Sequence, residues 1–202
     1  MSSKKYFLFV DVIQGLGIHP FDFKNWGVDA AAGGSHKWLT SPVGVGYLAL
    51  KKEHLSHFKL LNVGSATYGT CDDPALLECI AKNDVSRFEA GSKQVLEITA
   101  LGASCDLIHE VGIAIIEKEV LRLACKLREG LEDLGFQIHS PYALDSLITP
   151  MVNFSGKDMG KTKLQLAGHP VNFAMRGPGL RLSPHAFNTD DDIQMVLGLL
   201  QS

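Results

Sequence analysis

Positive charge is scarce in this sequence: 19 lysines and arginines stand against 22 aspartates and glutamates, for a formal net charge of -3. Nucleic-acid binders carry a basic stripe or face, so that partner is not expected. Long apolar runs are missing too. Charges interrupt every stretch well short of the ~20 residues needed to cross a bilayer, so no membrane partner is expected, and Met1 to Lys5 is not followed by an apolar core long enough for secretion. The four cysteines, Cys71, Cys79, Cys105 and Cys125, form no C-x-x-C pair and have no histidine at metal-ligand spacing. Reduced thiols, no metal and a cytoplasmic location are therefore the expectation. Cys105 and Cys125 lie in a helical pattern as small apolar side chains, and Cys71, beside Asp72 and Asp73, is the one cysteine expected at the surface. Repeats and low-complexity tracts are absent as well, which excludes solenoids and linkers.

What is present is a lysine in unusual company. Lys37 lies in Ala32-Gly33-Gly34-Ser35-His36-Lys37-Trp38-Leu39, and 26 residues earlier Asp11 ends the apolar run Tyr6 to Val10, which reads as a buried strand. Alone, such a lysine is usually a solvated charge and such an aspartate a turn former. Together they suit pyridoxal phosphate. A lysine amine can hold the cofactor aldehyde, and a strand-end carboxylate can keep its pyridine nitrogen protonated, so that the ring withdraws electrons. Gly33 and Gly34 permit close backbone approach, Ser35 and His36 offer donors to phosphate, and Gln14 could reach the ring oxygen.

Several segments carry a resemblance. Val10-Asp11-Val12-Ile13-Gln14-Gly15, Gly33 to Leu39, Pro42-Val43-Gly44-Val45-Gly46, Arg87-Phe88-Glu89-Ala90-Gly91-Ser92 and Arg181 to Thr189 resemble the class V aminotransferases, in that family's order and across nearly the whole chain. These are fold-type-I pyridoxal phosphate enzymes that include cysteine desulfurases and isopenicillin N epimerase-like proteins. The resemblance implies that Lys37 is the catalytic lysine and proton shuttle, and that Asp11 pairs with the pyridinium. It further implies that Gln14 meets the ring oxygen and His36 the phosphate, that Ser92 reaches the phosphate in a neighbouring subunit, and that Arg181 grips the substrate carboxylate. A planar guanidinium suits that last task, because it meets a carboxylate through two parallel hydrogen bonds.

The departures are informative. Gly34 stands where the family often has a phosphate-binding serine, which leaves Ser35 as the possible substitute, and Ser41 replaces the usual glycine before Pro42. Ala186 follows His185 where the desulfurases place their nucleophilic cysteine, so persulfide chemistry at that position is excluded. Members of the family run to about twice this length. The half without a counterpart here is the N-terminal one, with the glycine-rich phosphate loop and the residue that stacks on the ring.

The fold expected is α/β: residues 1–60 form the C-terminal part of a fold-type-I large domain, and residues 61–202 form a connection and an α+β small domain. Strands are expected at 6–11, near 28–32 and at 44–50, with a polar connection over 51–92. Helices follow over 93–134, broken at Gly112 and stopped by Gly135. Strand-like runs lie at 147–154, 171–175 and 180–182, before a last helix starting at Thr189. Two functions compete. One is a pyridoxal phosphate enzyme acting on an amino acid or amine through a Lys37 aldimine, as a homodimer. The other is a non-catalytic partial chain serving as an oligomerisation or binding module. Substrate and reaction type are not legible.

Overall fold

The computed structural model describes residues 6–69, 80–140 and 149–201 and is mixed α/β, as expected. It divides into two compact units, residues 1–110 and 111–202. The expected division was at 60/61; Lys51 and His54, at the start of the polar connection, are tied to the first unit. Asp29, 1% exposed, is its anchor. The Asp29 carboxylate accepts from the Leu8 amide at 2.8 Å and from Lys51 Nζ at 3.0 Å, with His54 Nε2 at 3.2 Å. A carboxylate that deep needs such partners, since an unpaired buried charge costs several kcal/mol.

In the first unit, β1 (Phe9–Asp11), β2 (Ala30–Gly34) and β3 (Gly46–Leu50) form a sheet in that order. β1 runs parallel to β2, with Asp11 opposite Ala32, and β3 runs antiparallel, with Tyr47 opposite Gly33. Val12, Val28 and Ala31 make a small core beneath them. The run expected to be a buried strand is exposed: Tyr6, Phe7, Leu8 and Phe9 are 42–76% accessible. Among the described residues β1 has one neighbour, β2, so burial read from composition alone went too far. Helix α1 (Val95–Val111) closes this unit.

The second unit holds the larger core. Gly112, at φ 90°, separates α1 from α2 (Ile113–Asp133), whose Ile116, Val120, Leu123, Leu127 and Leu131 are buried at helical spacing. Gly135 ends the helix at φ 81°. The sheet order is β4 (Gln137–Ile138), β5 (Val152–Ser155), β7 (Gly179–Leu182) and β6 (Ala174–Arg176), all antiparallel. α3 (Met159–Ala167) and α4 (Asp190–Leu200) join α2 against it. α4 starts at the expected place. The Thr189 hydroxyl accepts from the Asp192 amide while Asp192 accepts from the Thr189 amide, a reciprocal cap.

α3 and β4 were not foreseen. α3 is nine residues with a glycine and only Thr162 and Leu166 buried, which leaves too short an apolar stripe to recognise. The first part of the expected strand at 147–154, with Cys71 and Cys79, lies outside the described residues. Cys105 is exposed on α1, against the expectation that Cys71 would be the surface thiol, and Cys125 is half-buried. Among the described residues no single helix is long and apolar enough to span a membrane, and no cluster of metal-ligating side chains occurs.

Candidate functional site

The carboxyl ends of parallel strands in an open α/β sheet are where ligands bind, because the chain must turn there and leaves side chains and amides facing the crevice. Asp11 ends β1, and the segment Ser35 to Lys37 follows β2 directly, so the two motifs lie side by side at that end of the sheet. Asp11 is exposed and turns the chain through its own carboxylate, Oδ1 accepting from the Ile13 amide at 3.0 Å. The following turn then packs on the lysine loop. Gly17, at φ 104°, lies so close that a Cβ there would stand 2.6 Å from the Trp38 carbonyl oxygen, a contact only glycine allows.

Within the loop, polar and apolar residues are sorted. Trp38 and Leu39, each 6% exposed, anchor it, while His36, Lys37 and Gln14 are exposed. Ser35 departs from its expected role. It is fully buried, its hydroxyl lies 2.8 Å from the Pro42 carbonyl and 2.9 Å from that of Val45, and its amide donates to Val45. A hydroxyl has one proton, and here it is directed into the backbone. Ser35 therefore shapes the loop and does not serve as a phosphate donor. The sequence hinted at this, since the family pattern places no ligand at that position.

Gly34 is the counterpart of that closure. A Cβ on Gly34 would meet the His36 ring at 3.0–3.1 Å and Ile13 Cδ1 at 3.3 Å, so the missing side chain leaves the imidazole room beside the Asp11 turn. Ser41, in place of glycine, is buried, and Thr40 before it takes the left-handed conformation at φ 51°. The loop's strain thus falls on a threonine.

Ser92 is exposed in the first unit, in the segment leading to α1. Arg181 belongs to the second unit, in β7 between Asn153 of β5 and Ala174 of β6. Its neighbours Leu180 and Leu182 are buried, as the sequence suggested. Its Nε is enclosed with no hydrogen-bond partner among the described residues. Burial, and then the nearby Arg176 charge, lower its pKa from the usual arginine value, which still leaves a cation. A half-buried guanidinium whose Nε has no partner among the described residues is suited to receiving an anion. Tyr47 was overlooked. Its hydroxyl is enclosed with no hydrogen-bond partner among the described residues, on β3 opposite Gly33 and beside the Val12, Val28 and Ala31 core.

The donor set fits pyridoxal phosphate: a strand-end carboxylate for a protonated ring nitrogen, an imidazole beside a glycine-lined recess for an anion, and an amine on the same loop. The comparisons agree. An uncharacterised aminotransferase of Bacillus subtilis is 28% identical over 190 residues, covering 94% of this chain and 50% of its own length. A protein named as a probable cysteine desulfurase of Pyrococcus abyssi is 29% identical over 206 residues, covering 95% and 51%. The chain thus spans about half the length of the curated relatives it matches. The apo cysteine desulfurase of Thermococcus onnurineus shares the fold, with a TM-score of 0.86 at 23% identity over 96% of this chain and 52% of that one. The family model described as aminotransferase class-V matches residues 1–195, and the chain belongs to the class V aminotransferase family.

Proposed function

We propose that this chain carries the lysine-bearing half of a pyridoxal phosphate enzyme that acts on an amino acid or amine. The observation that carries the reading is the placement of Asp11 and the His36-Lys37 pair at the carboxyl ends of adjacent parallel strands. Pyridoxal phosphate, when bound, supplies an electron-withdrawing ring that accepts the electron pair of a bond broken at the substrate's α-carbon. Asp11 holds the proton on the ring nitrogen. Lys37 Nζ would hold the cofactor and move a proton at the substrate's α-carbon. His36 donates to phosphate, Gln14 to the ring oxygen, and the Arg181 guanidinium receives the substrate carboxylate. Ala186 supplies no thiolate beside His185, so sulfur transfer at that position is not part of the reading.

The test is a titration of the purified chain with pyridoxal phosphate, followed by borohydride reduction and peptide mapping. A new visible absorption band and label on Lys37 alone are expected; label spread over several lysines sinks the assignment.

A second reading, a non-catalytic partial chain acting as an assembly module, is favoured by the exposed apolar side chains of Phe7, Leu8 and Phe9 at and before β1. Under the enzyme reading, Ser92 acts only across a subunit boundary, so a homodimer with two-fold symmetry is expected. Light scattering at micromolar concentration checks it, and a monomer counts against Ser92 while leaving Lys37 untouched.

A further inference from the structure

The register of the second unit's sheet sorts its residues onto two faces. Val152, Phe154, Leu180 and Leu182 enter the core, while Asn153 and Arg181, paired directly across β5 and β7, alternate with them and stand on the other face. Across β7 and β6, Arg181 pairs with Ala174 and Gly179 with Arg176, so Arg176 shares that face and lies diagonally from Arg181. Diagonal neighbours are about 7–8 Å apart, within reach of long side chains. Gly179, opposite one arginine and two residues before the other, adds no side chain to the space between them. A Cβ there would stand 3.1 Å from Asn153 Oδ1, because the Asn153 carboxamide crosses this gap and donates from Nδ2 to the Arg176 carbonyl at 3.0 Å. That bond latches β6 to β5 over β7 and fixes the strand on which Arg176 stands.

Among the described residues neither arginine is in an ion pair. Of the other strand residues on that face, Gln137, Ser155 and Ala174, none is acidic. Arg181 Nε is enclosed without a partner among the described residues, and Arg176 Nη1 turns back to the Met175 carbonyl at 3.0 Å. Burial, and then the Arg176 charge, lower the Arg181 pKa, as expected of two neighbouring guanidinium groups with no anion between them. We propose that Arg176 and Arg181 form a two-point anion site and that the substrate is an amino acid with a second acid group on its side chain. Arg181 receives the α-carboxylate, a role that rests on the reading given under Proposed function, and Arg176 receives the side-chain acid. A planar guanidinium meets a carboxylate through two parallel hydrogen bonds, so two such forks on one rigid face favour a ligand with two carboxylates over a ligand with one. Arg176 is then the specificity-determining residue.

The site can be probed without cofactor. In calorimetric titrations of the purified chain at constant ionic strength, succinate should bind about tenfold or more tightly than butyrate, which has the same carbon chain length and one carboxylate; a hydrogen bond to a charged group contributes about that factor. Arg176→Gln should erase the difference by weakening succinate alone, and Arg181→Gln should weaken both acids. Arg176 is exposed, and it is its carbonyl that holds Asn153, so the Arg176→Gln variant should melt with the parent. Equal affinity of the parent for the two acids, or equal weakening of both by Arg176→Gln, overturns the proposal. Tighter binding of inorganic phosphate than of succinate overturns it too, since one compact anion would then bridge the pair. A chain that prefers the diacid yet forms no adduct on Lys37 sinks the enzyme reading, and with it the diacid as substrate, while the anion site stands. A chain that forms the adduct and shows no diacid preference sinks the two-arginine site alone.

Discussion

Lys37→Ala is expected to abolish the visible band and the reducible adduct with pyridoxal phosphate while leaving the folded chain intact. On the proposed reading the effect on chemistry is total, because the amine would be the bond-forming group and no neighbouring side chain in the loop would replace it. The effect on folding is small. Lys37 is exposed, the loop is anchored by Trp38, Leu39 and the Ser35 hydroxyl, and surface substitutions away from caps and cores usually stay within ~0.5 kcal/mol. Absorbance after titration and thermal melting of both proteins check the two halves. A persisting adduct would move the anchor to another lysine; a collapsed fold would show that the loop depends on Lys37 for packing.

Phe154→Ala should bring the largest loss of stability. Phe154 is fully buried on β5, paired with Ile138 of β4 and Leu180 of β7, and its ring meets Phe136 edge to face at 5.2 Å. β7 approaches so closely that a Cβ on Gly179 would lie 2.0 Å from the Phe154 carbonyl oxygen, so the sheet has little freedom to close the cavity. Truncation of such a ring costs about 3–5 kcal/mol, a large share of the ~5–15 kcal/mol that holds a domain together. The melting midpoint should fall by roughly 10 °C or more. Because β7 carries Arg181, the variant should lose that residue's placement together with the core. A drop of only a few degrees would mean that the sheet repacks around the gap.

The parts legible in the sequence were those in which local chemistry and long-range structure agree. α2 announced itself through buried residues at three and four from Ile116 to Leu131, and α4 through the Thr189 cap; the two ends of α2 were marked by Gly112 and Gly135. The expected nearness of Asp11 to the His36-Lys37 loop was legible because each follows a strand, and the structure sets those two strand ends side by side. Three features were not legible. The exposure of Phe7 and Phe9 depends on whether β1 has one neighbour or two, which no local pattern records. The diversion of Ser35 into the loop depends on carbonyls seven and ten residues away. Tyr47 reads as an ordinary strand residue until its partner is seen to be a glycine.

The open edge of β1 bears on how firmly Asp11 is held. Among the described residues, the carboxylate sits at the last residue of a three-residue strand with one hydrogen-bonded neighbour. Backbone held on one flank opens more easily than backbone held on two, so the amides of β1 are expected to exchange with solvent sooner than those of β5, which lies between β4 and β7.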